Sequence, residues 1–353
     1  MAGTQKRIAV VILNWNGRFF LESFLPDVIR FSQDLADIIV ADNASSDDSI
    51  AWLKNHLPEV RIIQLDKNLG FTGGYNEALK QVSHEYYVLL NSDVRVTEGW
   101  LKPLLELMDK NPERAACQPK ICSLAHPTEF EYAGAGGGFI DHFGYPFCGG
   151  RIFYSLEKDD GQFNDSRQVF WASGACMFIR SSVFHELNGF DSNFFAHMEE
   201  IDLCWRIHRE GKEVWYCGAS TVYHVGGGTL PKNNPRKTYL NFRNNLLMLY
   251  KNLPVDLFPK VIIARTILDS AAALIFLVRN GRADFKAVFQ AHKDFHAMKK
   301  GYKGFRTNTH NVHNQYFNLI YWRSIVLSFY LFKSRKFSDL NRFPQVHENG
   351  GKV

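Results

Sequence analysis

Four short apolar runs, each followed by a polar loop and an amphipathic stretch, organise the first hundred residues of the chain. The runs lie at residues 7–14, 37–41, 60–65 and 86–90. Continuous apolar runs of this length are typical of strands that are buried on both faces of a sheet. Strand, loop and helix alternate, so the pattern predicts a mostly parallel sheet with helices on both faces. Ser46 is expected to cap the second helix.

Polar or glycine-rich loops follow three of these strands directly. Asp42 comes after the second strand, a glycine-rich stretch that includes Gly70 after the third, and Asp93 after the fourth. Ligands of such sheets bind beyond the carboxyl ends of the strands, so the three loops should converge on one crevice. Each loop also has a structural alternative: Asp42 could cap a turn, the glycines could serve helix entry, and residues 91–93 could form an Asx turn.

The pattern changes beyond residue 110. We expect a strand at 115–122, an insertion of loops and short strands at 123–168, and a strand at 169–179. Small residues at the centre of this last strand would let a ligand lie close to the backbone. Two further strands are expected, at 213–217 and 219–223.

Three carboxylates lie within four residues of one another in the stretch 194–206, which otherwise has the spacing of a buried helix. They are Glu199, Glu200 and Asp202. Crowded carboxylates repel one another and are costly to desolvate, so they occur where a cation, an arginine or a proton transfer needs them. The plainer alternative is a solvated helix face on which Asp202 pairs with Arg206.

Composition indicates a globular protein of the cytosol. Hydrophobic residues make up 46% and charged residues 22% of the 353 residues, which is ordinary for a globular chain. The six cysteines include no Cys-x-x-Cys pair, so we interpret them as reduced thiols. The first apolar run ends at Asn14 and Asn16, too early for a secretory signal.

Charge is distributed unevenly along the chain. Residues 251–353 carry 17 Lys and Arg against 6 Asp and Glu, whereas the first 250 residues are net acidic. Two apolar stretches lie in this basic tail, at 261–278 and 316–332; the first carries Arg265 and Asp269, and cations follow the second. We expect helices that lie on an anionic membrane surface. The alternative is that the two helices pack together or form a dimer interface.

Eight short motifs occur in a fixed order along the chain. They lie at residues 11–16, 42–47, 68–71, 90–93, 172–175, 189–191 and 199–206, and at His224. Singly they are weak, but together and in this order they resemble the inverting family-2 glycosyltransferases of the GT-A fold, close to the bacterial rhamnosyltransferase-like branch. The resemblance covers roughly residues 7–250.

The resemblance implies an α/β fold of the GT-A class, Rossmann-like, followed by a helical region. A catalytic domain should cover 1–250, with a nucleotide-binding half at about 1–122 and an acceptor half at about 123–250. Residues 251–353 should form the basic, apolar and aromatic helical region.

The activity that the resemblance implies is sugar transfer with inversion. The donor should be a UDP- or dTDP-sugar, and the acceptor a hydroxyl of a glycan or lipid-linked glycan. The pathway should be the synthesis of a surface polysaccharide or lipopolysaccharide, with rhamnosyl transfer as one option. We expect the enzyme in the cytoplasm, peripheral on the inner face of the plasma membrane, and without a nucleic-acid partner.

Site residues follow from the same resemblance. Glu200 occupies the position of the family's catalytic base. Asp93 and His224 occupy the positions of the ligands of Mg²⁺ or Mn²⁺, and Asp42 the position that accepts a hydrogen bond from the pyrimidine ring. The remaining residues at substrate- or nucleotide-binding positions are Asn14, Asn16, Asn68, Gly70, Ser92, Gly174 and Glu199.

Two positions depart from the family's pattern. Glu200 stands where the family usually has Asp, and Asn91 replaces the first carboxylate of the Asp-x-Asp motif. Two other functions are alternatives. A nucleotidyltransferase that makes nucleotide sugars needs a glycine- and lysine-rich first loop, but residues 14–17 are Asn-Trp-Asn-Gly. A non-catalytic sugar-binding module would have no use for Glu200.

Overall fold

The apolar runs of the amino-terminal part form neighbouring strands of a large mixed sheet. In the computed structural model, which describes residues 6–131, 134–226, 234–306 and 314–340, this sheet has nine strands and a second sheet has five. The strands are β1 (Ile8–Asn14), β2 (Ala36–Asp42), β3 (Arg61–Gln64), β4 (Tyr86–Asn91), β5 (Val94–Val96), β6 (Arg114–Ser123), β7 (Gly138–Asp141), β8 (Pro146–Cys148), β9 (Arg151–Ile152), β10 (Ser155–Leu156), β11 (Arg167–Gln168), β12 (Cys176–Arg180), β13 (Glu213–His224) and β14 (Ile320–Tyr321). The α-helices are α1 (Arg18–Ser32), α2 (Ser49–His56), α3 (Gly70–Leu79), α4 (Leu101–Asp109), α5 (Ser181–Glu186), α6 (Glu199–Arg209), α7 (Pro235–Asn252), α8 (Phe258–Arg279), α9 (Arg282–Met298) and α10 (Ile325–Tyr330).

The order of strands in the large sheet is β11-β13-β6-β12-β4-β1-β2-β3, and β5 pairs with β13. The strand β1 pairs in parallel with β2 and β4, and β2 pairs in parallel with β3. The strand β12 is antiparallel to its neighbours β4 and β6, whereas β6 and β13 are parallel. The predicted sheet is therefore confirmed, with an antiparallel strand near its centre.

Both faces of the large sheet are covered. Ala9 and Val11 of β1 belong to a core that also contains Tyr75 of α3. Val10 points to the opposite face, where it shares a second core with Leu104 of α4. Each fully buried aliphatic side chain of this kind contributes about 1.5–3 kcal/mol to folding. Burial on both faces explains why the strands are continuously apolar.

The insertion at 123–168 contributes the strands β7 to β10 of the smaller sheet. Its order is β10-β9-β8-β7-β14, so a strand from near the carboxyl terminus completes it. The second apolar stretch of the tail is therefore not one helix, as we expected. Its residues Ile320 and Tyr321 pair with β7, and Ser324 then caps α10 through a hydrogen bond from the Leu327 amide to its side chain.

Three other local predictions were wrong. Ser46 does not cap α2, because its amide donates to the side chain of Asn16 (2.7 Å) and the helix begins at Ser49. The strand expected at 169–179 is limited to β12, since the small residues before it form a turn closed by the Cys176 amide and the Ser173 oxygen. The two strands expected at 213–223 form one strand, β13, with an irregularity in its pairing.

The helices α7, α8 and α9 pack together beside the acidic stretch. Lys251 at the end of α7 is buried and lies 2.9 Å from Asp202. On α8, Arg265 and Asp269 form a pair, with their side chains 3.2 Å apart and buried. Among the described residues, α8 is the one helix long and apolar enough to cross a membrane, by length and composition alone.

The face of α8 opposite this pair carries a stripe of exposed aliphatic side chains. Ile263, Ile267, Leu274 and Val278 are 64%, 66%, 59% and 86% exposed. We call these four residues the α8 stripe. Only 22% of the most apolar part of the helix is buried, so the helix lies on the protein surface with its charges turned inward.

Candidate active site

The loops after β1 and β2 are held together by a polar network. The carboxylate of Asp42 accepts hydrogen bonds from the side chains of Asn14 (3.0 Å) and Ser45 (2.6 Å), and from the Ser45 amide (3.0 Å). Asn16 adopts a positive φ of 52°, and its side chain accepts from the amides of Ser46 and Asp47. A carboxylate can accept about four hydrogen bonds, so Asp42 keeps one acceptor position.

The loop after β3 is tightly packed where it leads into α3. Asn68 accepts from the amide of Gly70 (2.8 Å), which has a φ of +71°. A Cβ on Gly70 would lie 2.5 Å from the ring of Phe195, so only glycine fits. The main-chain oxygen of Phe195 in turn accepts from the amide of Phe71 (2.8 Å). The nucleotide-side loop is thus joined to the segment that leads into the acidic stretch.

The loop after β4 brings Asp93 to the end of β13. Asp93 Oδ1 lies 3.1 Å from Nε2 of His224, and Glu131 Oε2 lies 3.0 Å from Nδ1 of the same ring. All three side chains are buried. Burial lowers the pKa of His224, but hydrogen bonds to Asp93 and Glu131 outweigh it and raise the pKa to about 10. The imidazole is therefore held between two carboxylates.

The donor set at this point fits a divalent cation bound together with a diphosphate. Asp93 offers a carboxylate oxygen and His224 the Nε2 atom, while Glu131 orients the ring from behind, as carboxylates behind metal-bound histidines do. Mg²⁺ and Mn²⁺ accept one or two such ligands when phosphate oxygens and water complete the shell. Among the described residues, no group of three or more His, Cys, Asp or Glu side chains could hold a metal by itself.

The first two residues of α6 are an acidic pair, and each carboxylate has one oxygen that is shielded from water. Burial raises the pKa of Glu200 to about 7, and main-chain amides at the start of the helix oppose this shift. Burial, and then the charge of Glu200, raise the pKa of Glu199 well above its ordinary value. One oxygen of each carboxylate is buried without a hydrogen-bond partner among the described residues.

Gly174 connects this pair to the sheet. A Cβ on Gly174 would lie 3.4 Å from the ring of Phe71 and 3.7 Å from Cβ of Glu200. The next residue, Ala175, accepts from the amide of Asn91, which directly precedes Ser92 and Asp93 in the chain. The acidic pair and the loop after β4 therefore lie along the same edge of the sheet.

The buried thiol of Cys148 is influenced by carboxylates from both parts of the site. Burial raises the pKa of its thiol to about 12; Arg151 opposes the shift, and the charges of Glu131 and Glu200 add to it. Glu131, which touches His224, and Glu200 thus both act on one side chain. Glu200 and the carboxylate beside His224 therefore both lie near Cys148.

The segment before α6 is conformationally strained and is held by side chains of α7. Phe195, His197 and Met198 have φ values of 66°, 73° and 70°, which non-glycine residues rarely adopt. Nδ2 of Asn244 on α7 donates to the main-chain oxygens of Phe194, Ala196 and His197 at 2.8–2.9 Å. Asn244 therefore fixes the approach of the chain to Glu199 and Glu200.

The third carboxylate of the stretch has a different environment. Asp202 is fully buried, and it pairs with Arg206 and Lys251, each at 2.9 Å, and accepts from Asn252 (2.8 Å). Burial raises the pKa of Asp202, but these cations outweigh it and lower the pKa. The pair with Arg206, which belonged to the plainer alternative, is present, but the solvated face of that alternative is wrong. Asp202 joins α6 to α7.

The structure brings the predicted residues together and adds two that the sequence did not indicate. Asn14, Asp42 and Ser92 lie at the carboxyl ends of β1, β2 and β4, and Gly174 precedes the antiparallel β12 at the same edge of the sheet. The others are placed as described above. Glu131 and Asn244 were missed. Glu131 lies in the irregular insertion and Asn244 acts on main-chain oxygens, so no residue spacing indicates either.

Comparisons with known proteins agree with this architecture. The model of the family described as "Glycosyl transferase family 2" matches residues 9–187. An N-acetylglucosaminyl-diphospho-decaprenol L-rhamnosyltransferase of Mycobacterium tuberculosis is 24% identical over 62% of this chain and 75% of its own length. The low-salt glycan biosynthesis hexosyltransferase Agl10 of Haloferax volcanii is 23% identical over 68% of this chain and 74% of its own.

The fold is also found among solved structures. A crystal structure of GalNAc-T7 with UDP, GalNAc and Mn²⁺ superposes with a TM-score of 0.56 and 13% identity, and covers 88% of this chain and 58% of that one. The predicted GT-A-like fold, a mixed sheet with helices and a carboxyl-terminal helical region, is confirmed. The chain belongs to glycosyl transferase family 2.

Proposed function

We propose that the chain transfers a sugar, with inversion, from a nucleotide-diphosphate sugar to a hydroxyl of a glycan acceptor in the synthesis of a surface polysaccharide. One observation carries this proposal. Glu200, with a pKa raised to about 7 and an unpartnered oxygen, lies along the same edge of the sheet as the Asp93–His224 pair. A base near neutrality beside a phosphate-binding pair suits transfer better than passive sugar binding.

Glu200 is the proposed general base. It takes the proton of the acceptor hydroxyl while that oxygen forms a bond to the anomeric carbon. The bond from the anomeric carbon to the diphosphate oxygen breaks on the opposite side, and the nucleoside diphosphate leaves. A single displacement of this kind inverts the anomeric configuration and needs no nucleophile from the protein. Glu199 is buried beside it, and the charge of Glu200 adds to the burial that raises the pKa of Glu199.

The donor is proposed to bind across the loops after β1 to β4. Asp42 has one acceptor position left for an N–H of the pyrimidine ring. The loop residues that would surround the nucleotide are Asn14, Asn16, Asn68, Gly70 and Ser92. Gly174 has no side chain, so the sugar is proposed to approach the main chain there, next to Glu200. A UDP- or dTDP-sugar fits this proposal, and the nucleotide-binding half would end near residue 122.

Asp93 and His224 are the residues proposed to hold Mg²⁺ or Mn²⁺. Such a cation, when bound, offsets the negative charge on the departing diphosphate. Since His224 is protonated near neutrality without a metal, loading of the site releases a proton and is favoured by higher pH. Glu131 keeps the ring oriented.

The acceptor is proposed to be lipid-linked and the enzyme to be peripheral on the inner face of the plasma membrane. The mycobacterial relative is named for a diphospho-decaprenol acceptor. The α8 stripe offers exposed aliphatic side chains beside a basic tail. Burial raises the pKa of Tyr330 on α10, and the charge of Arg279 at the end of α8 opposes it. The stripe therefore ends near aromatic and cationic side chains, which are typical of a protein surface that lies at a bilayer interface.

Nucleotide binding tests the proposed function. Melting temperatures should be measured with UDP, dTDP, GDP and ADP, each with Mn²⁺ or with a chelator. A ligand of the native state raises its melting point, so UDP or dTDP should raise it, and more so with Mn²⁺. The absence of any shift with all four nucleotides would contradict the proposal.

A further inference from the structure

A second cleft lies between the start of α7 and the middle of α9. It has a volume of about 660 Å³, within the range of ligand sites. It is lined by Pro235, Arg236, Tyr239, Phe285, Lys286, Ala287, Phe289, Gln290 and Lys293. None of the roles assigned above uses this cleft.

The charge of the cleft is positive. Arg236, Lys286 and Lys293 line it and are exposed, and no carboxylate is among the lining residues that the structure describes. Asp294 lies nearby, but its two oxygens accept from Tyr239 (2.7 Å) and Gln290 (2.9 Å). Asp294 offsets part of the charge of Lys293, but the three cations outnumber it, which favours an anionic group with more than one charge.

The floor of the same cleft is apolar. The rings of Phe285 and Phe289 lie 4.9 Å apart, and Phe289 is 49% exposed although it is large and apolar. Exposed aromatic side chains next to cations suit a ligand with an apolar chain joined to an anionic head. Inorganic phosphate would leave these rings in water.

The cleft is connected to the active site through the strained segment. The Arg236 guanidinium lies 4.9 Å from the centre of the Phe195 ring. Burial lowers the pKa of His197 to about 4, and the charge of Lys237, the residue after Arg236, lowers it further. The start of α7 therefore contacts the residues that lead into Glu200. A ligand in the cleft would lie beside the segment that leads into Glu200.

We propose that this cleft binds the diphosphate and the adjoining part of the lipid of the acceptor. The inference rests on the proposed function, because it needs a lipid-linked acceptor. Arg236, Lys286 and Lys293 hold the diphosphate, and Phe285 and Phe289 contact the first units of the hydrocarbon chain. The sugar on the other side of the diphosphate then extends toward Glu200.

Binding of farnesyl diphosphate to the full chain tests this inference, with inorganic pyrophosphate and farnesol as separate probes. The double variant Lys286→Gln/Lys293→Gln should weaken farnesyl diphosphate binding at least ~10-fold, because charge-assisted contacts are lost. Phe289→Ser should weaken farnesyl diphosphate binding but not pyrophosphate binding. Lys260→Gln, an exposed lysine of α8 outside the cleft, is the matched control and should change neither. All substituted residues are exposed, and the melting temperature checks that each variant folds.

Binding of UDP and dTDP with Mn²⁺, measured on the same samples, separates the two proposals. Cleft variants should keep wild-type nucleotide binding, and nucleotide should not displace farnesyl diphosphate. Equal binding of farnesyl diphosphate to wild type and the double variant would overturn the inference, as would displacement by nucleotide or equally tight binding of pyrophosphate. Normal nucleotide binding without farnesyl diphosphate binding overturns the cleft alone, whereas absent nucleotide binding in the wild type overturns the proposed function.

Discussion

The side-chain amide of Asn244 lies 2.8 Å from the main-chain oxygen of His197. His197 is one of three residues with a positive φ just before α6, and the same amide also holds the oxygens of Phe194 and Ala196. Strained backbone of this kind persists only where its surroundings fix it. Glu200 thus owes its position to a side chain on another helix.

Asn244→Ala should therefore impair turnover more than donor binding. We expect kcat to fall at least ~10-fold while the KM for the donor changes little, because the donor loops do not touch Asn244. Unfolding free energy should fall by about 1–3 kcal/mol, since buried oxygens lose their partner. Steady-state kinetics and urea unfolding measure both. Asn55→Ala, an exposed asparagine of α2, is the control; an unchanged kcat in Asn244→Ala would refute this role.

Glu131→Gln tests the orientation of the proposed metal ligand. The carboxylate lies 3.0 Å from Nδ1 of His224, and loss of a partner of this kind typically weakens metal binding by about 10–100-fold. Titration of Mn²⁺ into enzyme saturated with UDP measures the affinity. UDP binding in chelator should stay at its wild-type value. A wild-type Mn²⁺ affinity in this variant would exclude a metal at His224.

The pH profile of kcat should reflect Glu200. A general base works only when it is deprotonated, and the pKa of Glu200 is raised from its ordinary value to about 7 by burial. Below pH 7 the deprotonated fraction falls tenfold per unit, so kcat should fall likewise, and it should level off above pH 7. Measurement at saturating donor and Mn²⁺ separates this effect from metal loading. A flat profile down to pH 5 would contradict the assignment.

Membrane attachment should depend on the α8 stripe. The triple variant Ile267→Ser/Leu274→Ser/Val278→Ser removes exposed aliphatic side chains without touching the buried Arg265–Asp269 pair. Co-sedimentation with anionic liposomes should decrease at least ~10-fold, because apolar burial contributes a term that salt does not remove. Raised salt should weaken the wild type only in part. Thr266→Ser is the control, and equal sedimentation of all three proteins would place the membrane contact elsewhere.

Much of this architecture could be predicted from the sequence, for an identifiable reason. Strands buried on both faces are continuously apolar, so β1 to β4 were evident, and the residues after them had to share one edge. Asp93 and His224, 131 positions apart in the chain, meet as the resemblance implied. The pattern of apolar residues was therefore enough to predict these strands and the edge at which their loops meet.

The remaining features depend on contacts between residues far apart in the chain, which the pattern of residues does not indicate. The stretch 316–332 has the composition of a helix, but pairing of Ile320 and Tyr321 with β7 divides it. Asn244 donates to three main-chain oxygens. Because every residue has a main-chain oxygen, the sequence does not indicate which ones a side chain will bind. Glu131 reaches His224 because residues 129–131 run back along β6, where the Glu131 amide donates to Ile121.

The central claim, that Glu200 is the general base, is tested most directly by Glu200→Gln. Gln keeps the size and polarity of the side chain but cannot accept the acceptor's proton. Transfer should fall at least ~10²-fold, whereas calorimetry with UDP, dTDP and Mn²⁺ should give wild-type donor-site affinity. Normal nucleotide binding together with near wild-type turnover would contradict the assignment of Glu200 as the base.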